Sequence, residues 1–132
     1  MMIKKILLLL ILTGLFACNK KTEPELMGNW KLENISGGFS GNGYNAEFDY
    51  LNITDEKHCE WLDSLNNPLA TGTYQLSASK GKECIEFNIK NKPETFYFDL
   101  DLEYIFYSHD TLYMRPCFEC NDCFDYFFIK DN

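Results

Sequence analysis

What the sequence has little of narrows its function first. Arg115 is the only arginine, and acids outnumber bases to leave a net charge of −8. Nucleic-acid phosphates require a basic footprint, so no nucleic-acid partner is expected. The same acidity denies the chain an electrostatic grip on anionic lipid. There is no Gly-x-Ser-x-Gly, no His-Glu-x-x-His and no glycine-rich phosphate loop. Ser108-His109-Asp110 places three triad residue types in a row, but a triad is assembled in space, and the tripeptide reads as a turn. A non-catalytic protein without cofactor or metal is expected. No segment of the domain sustains a helical period. The leading apolar stretch, residues 6–17, is twelve residues long, against the ~20 that a membrane-spanning helix needs.

That short stretch has a reading of its own. Lys4 and Lys5 precede it, and Ala17 and Cys18 close it, the layout of a secretory signal peptide. Leu15-Phe16-Ala17-Cys18 resembles the bacterial lipobox, in which a small residue stands directly before a cysteine. The resemblance implies cleavage after Ala17 and acylation of Cys18, which becomes the N-terminus and the membrane anchor. A bulky Phe16 departs from the usual pattern. Two or three acyl chains hold a protein to a bilayer where one holds marginally. The expected organisation is a signal peptide over 1–17, a polar tether over 18–25 and one domain over 26–132. Localisation would be the outer membrane of a cell envelope, on its periplasmic or its surface face. Residues 1–17 carry two lysines and no acid, so the remainder carries −10.

What is abundant is aromatic: eleven Phe, eight Tyr and two Trp, a composition that favours strands. Alternation is clearest in residues 84–90, where Ile85, Phe87 and Ile89 point one way and Glu86, Asn88 and Lys90 the other. Residues 96–104 alternate over nine positions, with Phe96, Phe98, Leu100, Leu102 and Tyr104 on one face. Asp99, Asp101 and Glu103 share the opposite face and read as a solvated outer row. Turn signals recur at residues 66–68, 79–83, 91–93 and 108–110, and residues 36–43 are glycine-rich. The pattern predicts an all-β chain of about eight strands at ~8–12-residue spacing, arranged as a small antiparallel up-and-down barrel.

The first strand carries Gly28-Asn29-Trp30, which resembles the Gly-x-Trp of lipocalin and fatty-acid-binding barrels. With Leu26 two residues before the glycine, it is similar to the small lipocalin-like domains of exported bacterial lipoproteins. The resemblance implies that Gly28 turns the chain into the barrel floor and that Trp30 fills the closed end. The larger lipocalins lay an arginine across this tryptophan; Arg115 is out of phase with Leu112 and Met114, and Lys130 is the better placed cation. The family implies binding of a small apolar ligand, with Trp30, Trp61, Phe87, Phe98 and Tyr104 lining or filling the interior. The alternative is an interaction module: a filled barrel whose rim loops, 36–46 and 117–123, contact a protein or glycan. A wide, empty interior favours the first and a packed one the second. Asp63-Ser64-Leu65 and Asp110-Thr111-Leu112 also resemble a short bacterial O-glycosylation signal.

Apart from Cys18, the cysteines are Cys59, Cys84, Cys117, Cys120 and Cys123. The last three form C-x-x-C-x-x-C, which reads as zinc site, redox site or disulfide framework. Zinc would want a fourth ligand, whereas His58 and His109 are expected at the other barrel end. A redox pair wants a helix N-terminus to lower its thiol pKa, and this loop joins two strands. Export favours disulfides. Counting strand starts from the floor places Cys59 and Cys84 at one end and the loop at the other. The predicted pairs are therefore Cys59–Cys84 and Cys117–Cys123, with one thiol left over. Non-adjacent strands lie ~9–10 Å apart, so the first pair requires converging strand ends.

Overall fold

Alternating apolar side chains give each strand one face that must leave water, and a sheet closed on itself is one way to bury eight such faces together. The computed structural model describes residues 26–132. The expected signal peptide over 1–17, Cys18 and the expected tether over 18–25 lie outside the described residues. The strands are β1 (Gly28–Gly37), β2 (Tyr50–Ile53), β3 (His58–Leu62), β4 (Pro68–Ser79), β5 (Lys82–Asn91), β6 (Asp101–Ser108), β7 (Thr111–Pro116) and β8 (Phe124–Asp131). Each pairs with the next in antiparallel register, and β8 returns to β1 to close an up-and-down barrel. Odd-numbered strands start at the end where β1 begins, the floor. Even-numbered strands start at the opposite end, the crown.

The floor is built as the Gly-x-Trp resemblance implies. Gly28 has φ of +127°, and a Cβ there would stand 2.8 Å from the Lys130 side chain, so both backbone and space favour glycine. Trp30 is fully buried, and its indole N–H donates to the Leu26 carbonyl at 2.9 Å. The Lys130 ammonium sits 4.7 Å from the centre of the Trp30 ring and donates to the Met27 carbonyl. Arg115 points outward and pairs with Glu103.

The interior is filled. Leu51, Trp61, Ile85, Leu102, Leu112, Met114, Tyr126 and Phe128 are buried in one continuous cluster with Trp30. Small barrels leave an interior only wide enough for their own side chains, and here most of the volume goes to aromatic rings.

One predicted strand differs. Residues 96–104 were expected as one alternating strand, but β6 starts only at Asp101. β5 pairs with β6 only over Cys84–Glu86 against Asp101–Glu103. Pro93, with no N–H to give a ladder, stands where the chain leaves β5. Residues 92–100 form a loop that turns inward at the crown: Phe96 and Phe98 are buried, whereas Leu100, expected inside, is exposed. The predicted solvated row is corrected too. Asp99 and Glu103 are 8% and 7% exposed, because each has a partner that makes burial tolerable.

Candidate functional site

The crown gathers four connections: residues 38–49, 63–67, 92–100 and 117–123. Two of them close the barrel mouth. Phe48, from the first, meets Phe98 at 5.6 Å between ring centres. Phe96 and Phe98 approach Trp61 at 5.8 and 5.3 Å, and Phe87 approaches Trp61 at 5.4 Å. The predicted lining residues Trp61, Phe87 and Phe98 thus form one packed cluster. Tyr104, in the same core, reaches toward the floor: it contacts Phe106 at 6.0 Å, and Phe106 contacts Trp30.

A polar knot holds these loops in place. The Asp99 carboxylate accepts the Tyr97 hydroxyl and, at 2.8 Å, the Phe124 backbone N–H. The Asp99 N–H donates to the Tyr126 hydroxyl at 3.2 Å. The Tyr44 hydroxyl donates to the Tyr97 carbonyl at 2.8 Å. Its proton is thereby committed, so Tyr126 donates across the 3.1 Å contact between the two hydroxyls. Burial first, and then the bond to Asp99, push the Tyr97 pKa up to about 12. Burial likewise raises Tyr44 and Tyr126. These phenols stay protonated as structural donors, and the Asp99 carboxylate ties the 92–100 loop to the start of β8. Gly43 serves the loop that carries Tyr44: at φ of +72°, a Cβ there would stand 2.2 Å from the Ile35 carbonyl oxygen.

The disulfides also sit at the crown, with pairs other than those predicted. Cys84 joins Cys117 and Cys120 joins Cys123, while Cys59 is a free, buried thiol. The predicted Cys59–Cys84 and Cys117–Cys123 pairs do not form. Shear is the reason. Strands of a closed barrel tilt and stagger, so Cys84, third in β5, is level with Glu103, third in β6. Strand β6 starts at the crown. Both Cys84 and Glu103 face outward, and the bridge crosses the outside of β6 to reach Cys117, whose N–H donates to the Asp101 carbonyl. Cys59 faces inward between Ile53 and Gly72. Burial pushes its thiol up to about 12, a masked side chain rather than a nucleophile.

Outside this framework the crown is unusually apolar for a loop surface. Phe39 is 97% exposed, Leu65 78% and Phe118 55%, and Tyr97 and Leu100 are also exposed. Five exposed large apolar side chains, drawn from all four connections, therefore share one end of the barrel. Phe118 belongs to one of the rim loops singled out in the sequence and Phe39 to the other. Leu65, Tyr97 and Leu100 were missed, although an apolar residue between Ser64 and Asn66, in a turn with no core to enter, is a readable signal. Ser64 lies in that same exposed turn, and Thr111 opens β7 at the floor. Between β5 and the 92–100 loop lies a cleft of about 350 Å³, lined by Phe87, Ile89, Lys92, Phe96, Phe98 and Asp99 among others. No protein-family model, curated protein or solved structure matches the chain.

Proposed function

We propose that this chain is a non-catalytic lipoprotein of the cell envelope, anchored through acylated Cys18, whose filled barrel displays the crown to a macromolecular partner. The carrying observation is the set of exposed apolar tips, Phe39, Leu65, Tyr97, Leu100 and Phe118, above an interior closed by Phe48, Phe96 and Phe98. Exposed apolar residues gathered at one place mark interaction surfaces, and aromatic side chains are the usual anchors of such surfaces. The two disulfides and the Asp99 knot hold the loops in one shape, which lowers the ordering cost of association. A protein suits tips of this apolarity better than a glycan does. The leader supports the anchor: labelled palmitate should enter the full chain and be absent from Cys18→Ala.

A photo-crosslinking residue at position 39 or 118 of the full chain in its native envelope should give a discrete adduct. The same residue at Thr73, on the barrel wall, should give none. Equal adducts at all three positions, or none at the crown, would discard the crown as the working surface.

A second reading keeps the small apolar ligand and moves it from the barrel axis to the lateral cleft beside Phe87, Phe96 and Phe98. The cleft volume supports it, being near the lower end of ordinary ligand sites. Trp61, packed on the same rings, has a buried indole N–H without a partner. A native mass spectrum of the full chain separates the two readings: an organic mass lost on denaturation favours the cleft.

A further inference from the structure

Two exposed large apolar side chains, Tyr107 and Ile129, are not on the crown. They belong to the outer face of β6, β7 and β8. The register pairs Ile105 with Tyr113, Tyr113 with Phe127 and Thr111 with Ile129. These residues point outward because Tyr104, Leu112, Met114 and Phe128 beside them are buried inside. Tyr107 stacks on Tyr113 with ring centres 5.7 Å apart and planes 18° from parallel, and Phe127 lies 6.2 Å from Tyr107. Arg115 neutralises Glu103 at 2.9 Å, and the Asp125 carboxylate is hydrogen-bonded by the Tyr113 hydroxyl at 2.9 Å.

The place of this wall matters as much as its composition. Ile129 pairs with Lys31, and Asp131 with Asn29, so the wall adjoins β1 at the end where the chain enters the barrel. What covers it follows from the proposed acylation of Cys18 at the N-terminus. Residues 18–25 then span at most about 29 Å when fully extended, and the floor stays within that distance of the lipid. We infer that the outer face of β6–β8 lies on the bilayer surface, its occupant being the zwitterionic headgroup boundary of the membrane that holds the anchor. Tyr rings suit that boundary, with an apolar body and a hydroxyl that remains wet. A charge of −10 on residues 18–132 gives anionic headgroups no attraction, so apolar contact holds the wall down.

The test uses the full acylated chain in phosphatidylcholine vesicles whose acyl chains carry bromine, a short-range quencher of indole emission. Tyr107→Trp reports the wall, Thr73→Trp the polar wall and Phe39→Trp the crown, with the unsubstituted chain subtracted for buried Trp30 and Trp61. Ile129→Trp is a second wall reporter should Tyr107→Trp misfold. The expected result is loss of most of the emission added at the wall, with the other two reporters unchanged. Equal quenching of the three reporters, or quenching at the crown alone, overturns the inference. So does a wall reporter shielded from acrylamide in water but untouched by bromine, which assigns the wall to a second copy or a glycan. If the chain does not float with the vesicles, the anchor reading itself fails and the inference falls with it; flotation without wall quenching overturns the inference alone.

Discussion

The barrel has two unlike walls on one backbone plan. The outer face of β3–β5 presents Glu60, Thr71, Thr73, Gln75, Ser77, Glu86, Asn88 and Lys90, all polar. The outer face of β6–β8 presents Ile105, Tyr107, Tyr113, Phe127 and Ile129 beside Glu103, Arg115 and Asp125. Inside, the walls are alike: Trp61, Tyr74 and Phe87 on one, Tyr104, Met114, Tyr126 and Phe128 on the other, all buried. The inward face answers to the fold, because any barrel of this size must fill itself. The outward face is free of that demand. Apolar side chains gathered there in a row are a feature of the outer surface that core filling does not require.

If the inward faces are equivalent, truncation inside either wall should cost a similar amount. Phe87→Ala in the polar wall and Phe128→Ala in the aromatic wall should each lose about 3–5 kcal/mol in urea unfolding. A cost confined to one wall would mean that the walls do not share a core. Next in size is the bridge that ties the walls together. Cys84–Cys117 spans 33 positions in sequence, and replacing both cysteines by serine should cost about 3–4 kcal/mol. The Cys120–Cys123 bridge spans only 3, and its removal should cost about half as much. Equal costs would mean that Cys84–Cys117 adds nothing across β6.

Outward charges should behave differently on the two walls. Glu103 is 7% exposed with Arg115 as its partner. Arg115→Ala leaves that carboxylate covered and unpaired, at a cost of about 1–3 kcal/mol. Glu86→Ala on the polar wall, at an exposed position, should stay within about 0.5 kcal/mol. Loss from Glu86→Ala as large as that from Arg115→Ala would erase the distinction.

The smallest effect is a pH dependence. Burial and the bond to Asp125 raise Tyr113 from 10.0 to about 12 in the folded chain. The folded state therefore favours the protonated phenol. Its contribution is complete below pH 10.0 and is lost as the pH rises toward about 12. Thermal unfolding across that window should fall less steeply for Tyr113→Phe than for the unsubstituted chain. Parallel curves would show that the ionisation of Tyr113 is not linked to folding. Asp55, on the turn between β2 and β3 and outside both walls, is held low by the backbone N–H of Lys57 and by His58. Its contribution is present at neutral pH and is lost as the pH falls through its folded value.

Much of the barrel was legible because strand alternation is local. Residues 84–90, with Ile85, Phe87 and Ile89 on one face, alternate as a strand must and fall within β5. Gly28, Trp30 and Lys130 were legible as a floor because glycine's left-handed backbone, one large ring and one cation form a short pattern. The crown was not. Phe96 and Phe98 have the right phase for a strand, yet they belong to a loop that plugs the mouth, and period alone cannot separate the two. Asp99 looked solvated because its partners Tyr97, Phe124 and Tyr126 come from two different segments. The disulfide pairs were missed for a similar reason: strand starts are counted along the chain, whereas shear is a property of the closed sheet.

By itself the sequence determined that this chain is an acidic β-barrel with an aromatic-rich interior. Those features follow from composition, from a period of two and from residues a few positions apart. Only the tertiary structure decided that the mouth is closed, which cysteines meet, and that the outward apolar residues fall into a crown and one wall. Each of these depends on the tilt and stagger of strands distant in sequence, which no local pattern encodes.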